Sequence, residues 1–168
     1  MHCSLALSAL LGVPVHAAEL ALKVEIPRLP VAEYHRPYTA MWVERADHAF
    51  AANLAVWYDL KKKDNEGTKW LKDMRQWWRK SGRELQMPVD GLSGATRAPG
   101  EHALVFDAGK SALGTLPAGD YALVVEAARE GGGREVLRLP FQWPPTAAQH
   151  ASAHGGNELG SVTLNLQP

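Results

Sequence analysis

Short runs of β-branched, aromatic and aliphatic residues recur along the chain between clusters of Gly, Pro, Asp and Asn, the pattern of strands separated by turns. The runs are Leu20–Ile26, Tyr38–Arg45, Asn53–Leu60, His102–Asp107, Tyr121–Ala128, Glu135–Trp143 and Leu159–Leu166. About seven strands in a chain of one-domain length predict a mainly β fold, an immunoglobulin-like antiparallel β-sandwich over residues 18–168. Two joins are marked by their own chemistry. Gly131-Gly132-Gly133 supplies positive φ for a hairpin between the fifth and sixth runs, and Leu116-Pro117-Ala118-Gly119-Asp120 makes a tight entry into the strand at Tyr121.

One stretch departs from the strand pattern. From Thr68 to Lys80, the residues Trp70, Leu71, Met74, Trp77 and Trp78 fall at helical spacing, with Lys69, Lys72, Asp73, Arg75, Arg79 and Lys80 on the other side. This predicts one amphipathic helix, N-capped by Thr68 and stopped by Gly82. A loop rich in Gly, Pro and Ser follows from Ser81 to Gly100, long enough that a functional role is the first expectation. A second irregular segment, Pro144 to Asn157, is punctuated by Pro144-Pro145 and Gly155-Gly156 and reads as a mobile excursion before the last strand.

Ahead of the first strand lies an apolar stretch around Leu5–Leu11, followed by small residues at Val15 and Ala17. That is the form of a secretory h-region with an A-x-A-like cleavage site, although the n-region carries only the terminal amine and His2. Residues 1–17 are therefore expected to be a signal peptide. The stretch is shorter than the about 20 apolar residues a membrane helix needs, so the mature protein is expected to be soluble and periplasmic or otherwise extracytoplasmic. Cys3, the single cysteine, lies inside the expected leader, which removes thiol catalysis, disulfides and Cys-ligated metals from the mature chain. Lys+Arg and Asp+Glu both number 18, and no basic stripe accumulates, so nucleic acid is not an expected partner.

The chemistry concentrates in the long loop, at Asp90-Gly91-Leu92-Ser93-Gly94-Ala95-Thr96. Asp-Gly and Ser-Gly pairs also mark ordinary turns. Position for position, however, the segment resembles the flavinylation motif D-(G/A)-x-(S/T)-G-A-(S/T) of bacterial electron-transfer proteins: subunits of the sodium-pumping quinone reductase, its Rnf-type relatives and FMN-binding domains. In those families a secreted, Mg-dependent flavin transferase cleaves FAD and leaves FMN on the last Thr or Ser through a phosphoester. The resemblance implies Thr96 as the acceptor. Gly91, Gly94 and Ala95 would keep the backbone around it adaptable, and Asp90 and Ser93 would shape the turn or be recognised by the transferase. A threonine hydroxyl is a weak nucleophile, so metal and base are expected from the transferase.

The order of Met41-Trp42-Val43-Glu44, Leu54-Ala55-Val56-Trp57, Trp70-Leu71-Lys72, Trp77-Trp78-Arg79, the motif through Gly100, Pro117-Ala118-Gly119-Asp120-Tyr121 and Val125 to Glu130 is similar to a family of predicted periplasmic proteins catalogued as a domain of unknown function. Genes of that family commonly sit near flavin transferases and PepSY-type membrane reductases. The resemblance implies a redox setting, with a membrane-bound reductase as partner, and no established reaction.

Other conspicuous residues weigh less. Trp77 and Trp78, close ahead of the motif, are candidate contacts for an isoalloxazine ring, whereas Trp70, Trp42 and Trp57 are expected in the core. His150 and His154, four residues apart, have a helical metal-site spacing but end at Gly155-Gly156 with no third ligand near. Arg75, Arg79, Lys80 and Arg83 form a basic cluster that suits either a flavin phosphate or plain solvation. Ala95 stands where a nucleophile elbow needs its last glycine, which argues against a serine hydrolase. Two functions follow as expectations: an extracytoplasmic electron-transfer module with covalent FMN on Thr96, or a flavin-free binding or scaffold module whose long loop is a partner surface.

Overall fold

A computed structural model describes residues 17–168, so the expected leader lies, but for its last residue, outside the described residues. The strands are β1 (Glu19–Ile26), β2 (Tyr38–Arg45), β3 (Phe50–Tyr58), β4 (Ser93–Ala95), β5 (Gly100–Asp107), β6 (Gly119–Ala128), β7 (Arg134–Trp143), β8 (Gln149–His154) and β9 (Ser161–Gln167). They form two sheets, in the orders β5-β1-β9-β8 and β4-β3-β2-β6-β7. The expected β-sandwich is the fold observed. Every pairing is antiparallel except β3 with β4, which run parallel.

Between the sheets lies one apolar core. Leu20, Leu22, Val24 and Ile26 alternate inward from β1 and meet Met41, Val43, Leu123, Val125, Leu139 and Phe141 from the other sheet. Period-two alternation suits a strand with one wet face, and β1 and β9 show it. β2 does not, because Tyr38 to Glu44 are all buried. Its second face is covered by the segment after β3, where Leu71, Met74 and Trp77 pack on Ala40, Trp42, Val56 and Val124 to make a second core.

The covering segment is not the single helix that the spacing predicts. A run of 3₁₀ turns, Lys63–Asp73, kinked near its start by Asp64 at φ 53° and Asn65 at φ 56°, gives way at Met74, with φ −76° and ψ 76°, to a short α-helix, α1 (Arg75–Lys80). Thr68 is inside the 3₁₀ stretch and donates to the Asn65 carbonyl at 2.8 Å instead of capping. Two tertiary anchors account for the break. The Tyr38 hydroxyl donates to the Gly67 carbonyl at 3.0 Å, and the buried Glu126 carboxylate receives the backbone N–H groups of Gln76 at 3.1 Å and Trp77 at 2.8 Å. Glu126 thus caps α1 from a neighbouring strand, where no local side chain does so. At the other end, Lys80 reaches the buried Glu44 at 3.1 Å, where a cation suits a helix C-terminus. The helix ends at Ser81, with φ −149° and ψ −44°, and Gly82 just beyond it lets the Trp77 ring pack closely, since a Cβ there would stand 2.5 Å from that ring.

The two irregular segments also carry structure. The Ser81–Gly100 loop contains a short 3₁₀ turn at Gly82–Glu84 and the edge strand β4. The expected mobile excursion contains β8, which pairs along its whole length with β9. Its inward residues are Gln149 and the small Ala151 and Ala153, so the apolar alternation that marks a strand is faint there.

Candidate functional site

The motif is built on Trp57. This tryptophan is almost fully buried in β3, and its register partner in β4 is Gly94. A Cβ on Gly94 would lie 3.1 Å from Trp57 Cδ1, so a glycine there lets the two strands meet. Arg97 lies over the same indole at 4.9 Å from its centroid and donates to the Ala95 carbonyl at 3.1 Å, while His102 meets the ring edge-on at 5.8 Å. Upstream, Gly91 turns the chain at φ 74°, in the region that favours glycine, and the Ser93 hydroxyl accepts the Val89 N–H at 2.9 Å. Asp90 is exposed on the outside of the turn.

Thr96 is the first residue past β4. Its backbone N–H donates to the Tyr58 carbonyl at 3.1 Å, extending the β3–β4 ladder by one bond. The residue lines two concavities. One, of about 330 Å³, is walled by Tyr34, Tyr38, Asp59, Lys62 and Trp70. The other, of about 320 Å³, lies over Tyr58, Leu60 and Ala95, and shares Asp59 and Lys62 with the first. The Lys62 ammonium stands 4.4 Å from the centroid of the Trp70 ring. The hydroxyl of Tyr34 is enclosed and has no hydrogen-bond partner among the described residues. Burial lifts the Tyr34 and Tyr38 hydroxyls above the ordinary 10.0, with Asp59 adding to the rise at Tyr38, so both are neutral donors near neutral pH.

Residues 19–161 match a family described as Predicted periplasmic protein (DUF2271). The chain belongs to that family. The matched span runs from the first residue of β1 to the first of β9, so the motif, the helical cover and the walls of the larger concavity all lie within it. No curated protein and no solved structure shows significant similarity to the chain. Among the described residues of this DUF2271 protein, no helix is long and apolar enough to cross a membrane.

The tryptophans in this family member are distributed differently from the expectation. Trp77 is fully buried on the sheet, and its indole N–H donates to Asn53 Oδ1 at 2.9 Å, which makes it a core residue away from the Thr96 concavities. Trp78 is half-buried and packs against the same core. Trp70, expected inside, is 37% exposed and shares a wall with Thr96. Leu71, Met74 and Trp77 fall every third residue, and that three-residue spacing, more than the four-residue one, marks which face is buried. Trp42 and Trp57 are core residues, as expected.

The remaining candidates lie apart from Thr96. Four residues along a strand span roughly 13 Å, so His150 and His154 in β8 do not approach one ion; they bond instead with Asn165 Oδ1 at 2.8 Å and Ser161 Oγ at 3.1 Å. Among the described residues, no group of three or more His, Cys, Asp or Glu side chains is arranged to hold a metal. Arg75 and Arg79 are solvated, Lys80 pairs with Glu44 and Arg83 with Glu84. The cation shared by both Thr96 concavities is Lys62, which the sequence reading did not single out.

Proposed function

We propose that the protein is an extracytoplasmic electron-transfer module that carries FMN covalently on Thr96, loaded by a flavin transferase and served by a membrane-bound reductase. The observation that carries this reading is the position of Thr96. Three of the motif's other constrained residues have structural work, Gly91 in the turn, Ser93 in the bond to Val89 and Gly94 against Trp57, whereas Thr96 lines two concavities. A cavity of about 330 Å³ lies at the small end of the roughly 300–1,000 Å³ range of small-molecule sites. Its lining sets the rings of Tyr34, Tyr38 and Trp70 among charged side chains of both signs, the cations Arg36, Lys62 and Arg129 and the carboxylates Asp59, Asp73 and Glu130, so rings for a flavin's ring system and cations for its phosphate are both present.

In the loading step, the Thr96 Oγ1 attacks the FMN-side phosphorus of FAD. A new P–O bond forms, the phosphoanhydride P–O bond breaks, AMP leaves, and the hydroxyl proton passes to a base of the transferase. The chain's part is presentation: β4 holds Thr96 at the edge of the sheet, and its partner β3 fixes the register. Bound FMN supplies reversible electron transfer, and the protein holds and tunes it.

Intact mass and visible spectrum of the mature protein, exported from cells with its own flavin transferase, test the reading. The expected result is a mass increase of FMN less water, flavin absorbance, and an adduct on the Ser93–Thr96 peptide that Thr96→Ala abolishes while the protein stays folded. A colourless, unmodified protein from cells whose transferase modifies a control substrate sinks it and favours the flavin-free binding module.

A further inference from the structure

Resting on the reading of Thr96 as a flavin attachment point, we propose that the concavity walled by Tyr34, Tyr38, Lys62 and Trp70 seats the flavin's ring system, and that Lys62 pairs with the phosphoester. Trp70 is a large indole left 37% exposed beside the attachment point, although the same helical segment buries Leu71, Met74 and Trp77. An exposed indole in a concave wall offers a flat face to a flat aromatic ligand. In the free protein that face is occupied by the Lys62 ammonium, at 4.4 Å from the ring centroid. A phosphodiester on Thr96 brings a negative charge beside a cation that lines both concavities, and a charge-assisted hydrogen bond is stronger than an exposed cation–π contact. Lys62 then leaves the indole for the phosphate, and the ring takes its place.

Tyr34 contributes to the wall, while its hydroxyl is closed off from the concavity. Tyr38 contributes its ring alone, since its hydroxyl is committed to the Gly67 carbonyl at 3.0 Å. The seat is thus made from the chain entering β2, the segment after β3, the helical cover and the end of β6 with Arg129 and Glu130, and the attachment point comes just after β4.

The test has two arms, and intact mass decides which applies. Where the exported protein is loaded, its flavin emission is expected to be several-fold below free FMN at equal absorbance. Trp70→Leu should restore it at least threefold, whereas Val105→Ala, an exposed apolar site at another concavity, should leave it quenched. Emission unchanged in Trp70→Leu overturns the seat and leaves the attachment reading intact. Where mass shows no adduct, the attachment reading has failed, and Thr96→Ala protein is titrated with free FMN and with riboflavin. Saturable quenching that Trp70→Leu weakens at least fivefold, with Lys62→Gln weakening FMN and not riboflavin, supports the seat. No saturable quenching up to millimolar FMN overturns it.

Discussion

The carboxylate of Glu126, on β6, receives the backbone N–H of Trp77 at 2.8 Å, so a strand residue caps the helix that covers its own sheet. The same carboxylate accepts from Gln76 and from Arg134 Nη1 at 3.0 Å, and it is fully buried. Glu126→Gln removes the charge and leaves two helix N–H groups and an arginine poorly matched. The expected loss is about 1.5–3 kcal/mol, the range for hydrogen bonds to charged groups. Urea denaturation at unchanged m-value measures it, and a variant as stable as the parent contradicts the capping role.

The flavinylation-like motif is expected to separate into scaffold and acceptor when its residues are changed one at a time. Gly91→Ala has open space but sits at φ 74°, so the loss is conformational and about 1–2 kcal/mol. Gly94→Ala pushes a methyl to 3.1 Å from Trp57 Cδ1, with overpacking of about 1–3 kcal/mol. Thr96→Ala is expected within about 0.5 kcal/mol of the parent. Thermal unfolding of the three proteins orders them, and a strongly destabilised Thr96→Ala form shows that Thr96 has a structural role instead.

Acid sensitivity is expected to involve Glu135. Burial works against its charge, but the backbone N–H groups of Gly156 at 2.7 Å, Leu159 at 2.9 Å and Asn157 at 3.1 Å outweigh that and hold the carboxyl below its ordinary 4.5. A folded pKa below the unfolded one means that the stabilisation is complete above about 4.5 and is lost as pH falls through the folded value. Glu135→Gln should therefore narrow the stability gap to the parent as pH drops from 7 to 3. Chemical denaturation midpoints across that range check it, and a gap independent of pH refutes it.

Strand positions were legible because their physics is local. β2 was readable to the residue, and β1, β3, β5, β6 and β7 to within a few residues, since alternation and turn chemistry need no partner to be recognised. β4 and β8 were not. β4 is a three-residue glycine-containing edge strand whose pairing depends on Trp57 accepting Gly94, and β8 buries alanines on a neighbour already in place. The helical segment carried the right apolar residues with the wrong continuity, because Glu126 and Tyr38 reach it from distant positions in the chain.

By itself the chain's pattern determined a mainly β sandwich with a helical cover and a motif ending at Thr96, since apolar period and residue chemistry are properties of neighbours in sequence. Only the tertiary structure decided which indole stands beside that threonine. Trp70 and Trp77 look alike in an amphipathic stretch, and the choice between them was made by a break at Met74 and by the sheet face that Leu71, Met74 and Trp77 bury together. It also brought Tyr34, Lys62 and Thr96 to one concavity, a convergence of separate segments that exists only once the sandwich has closed.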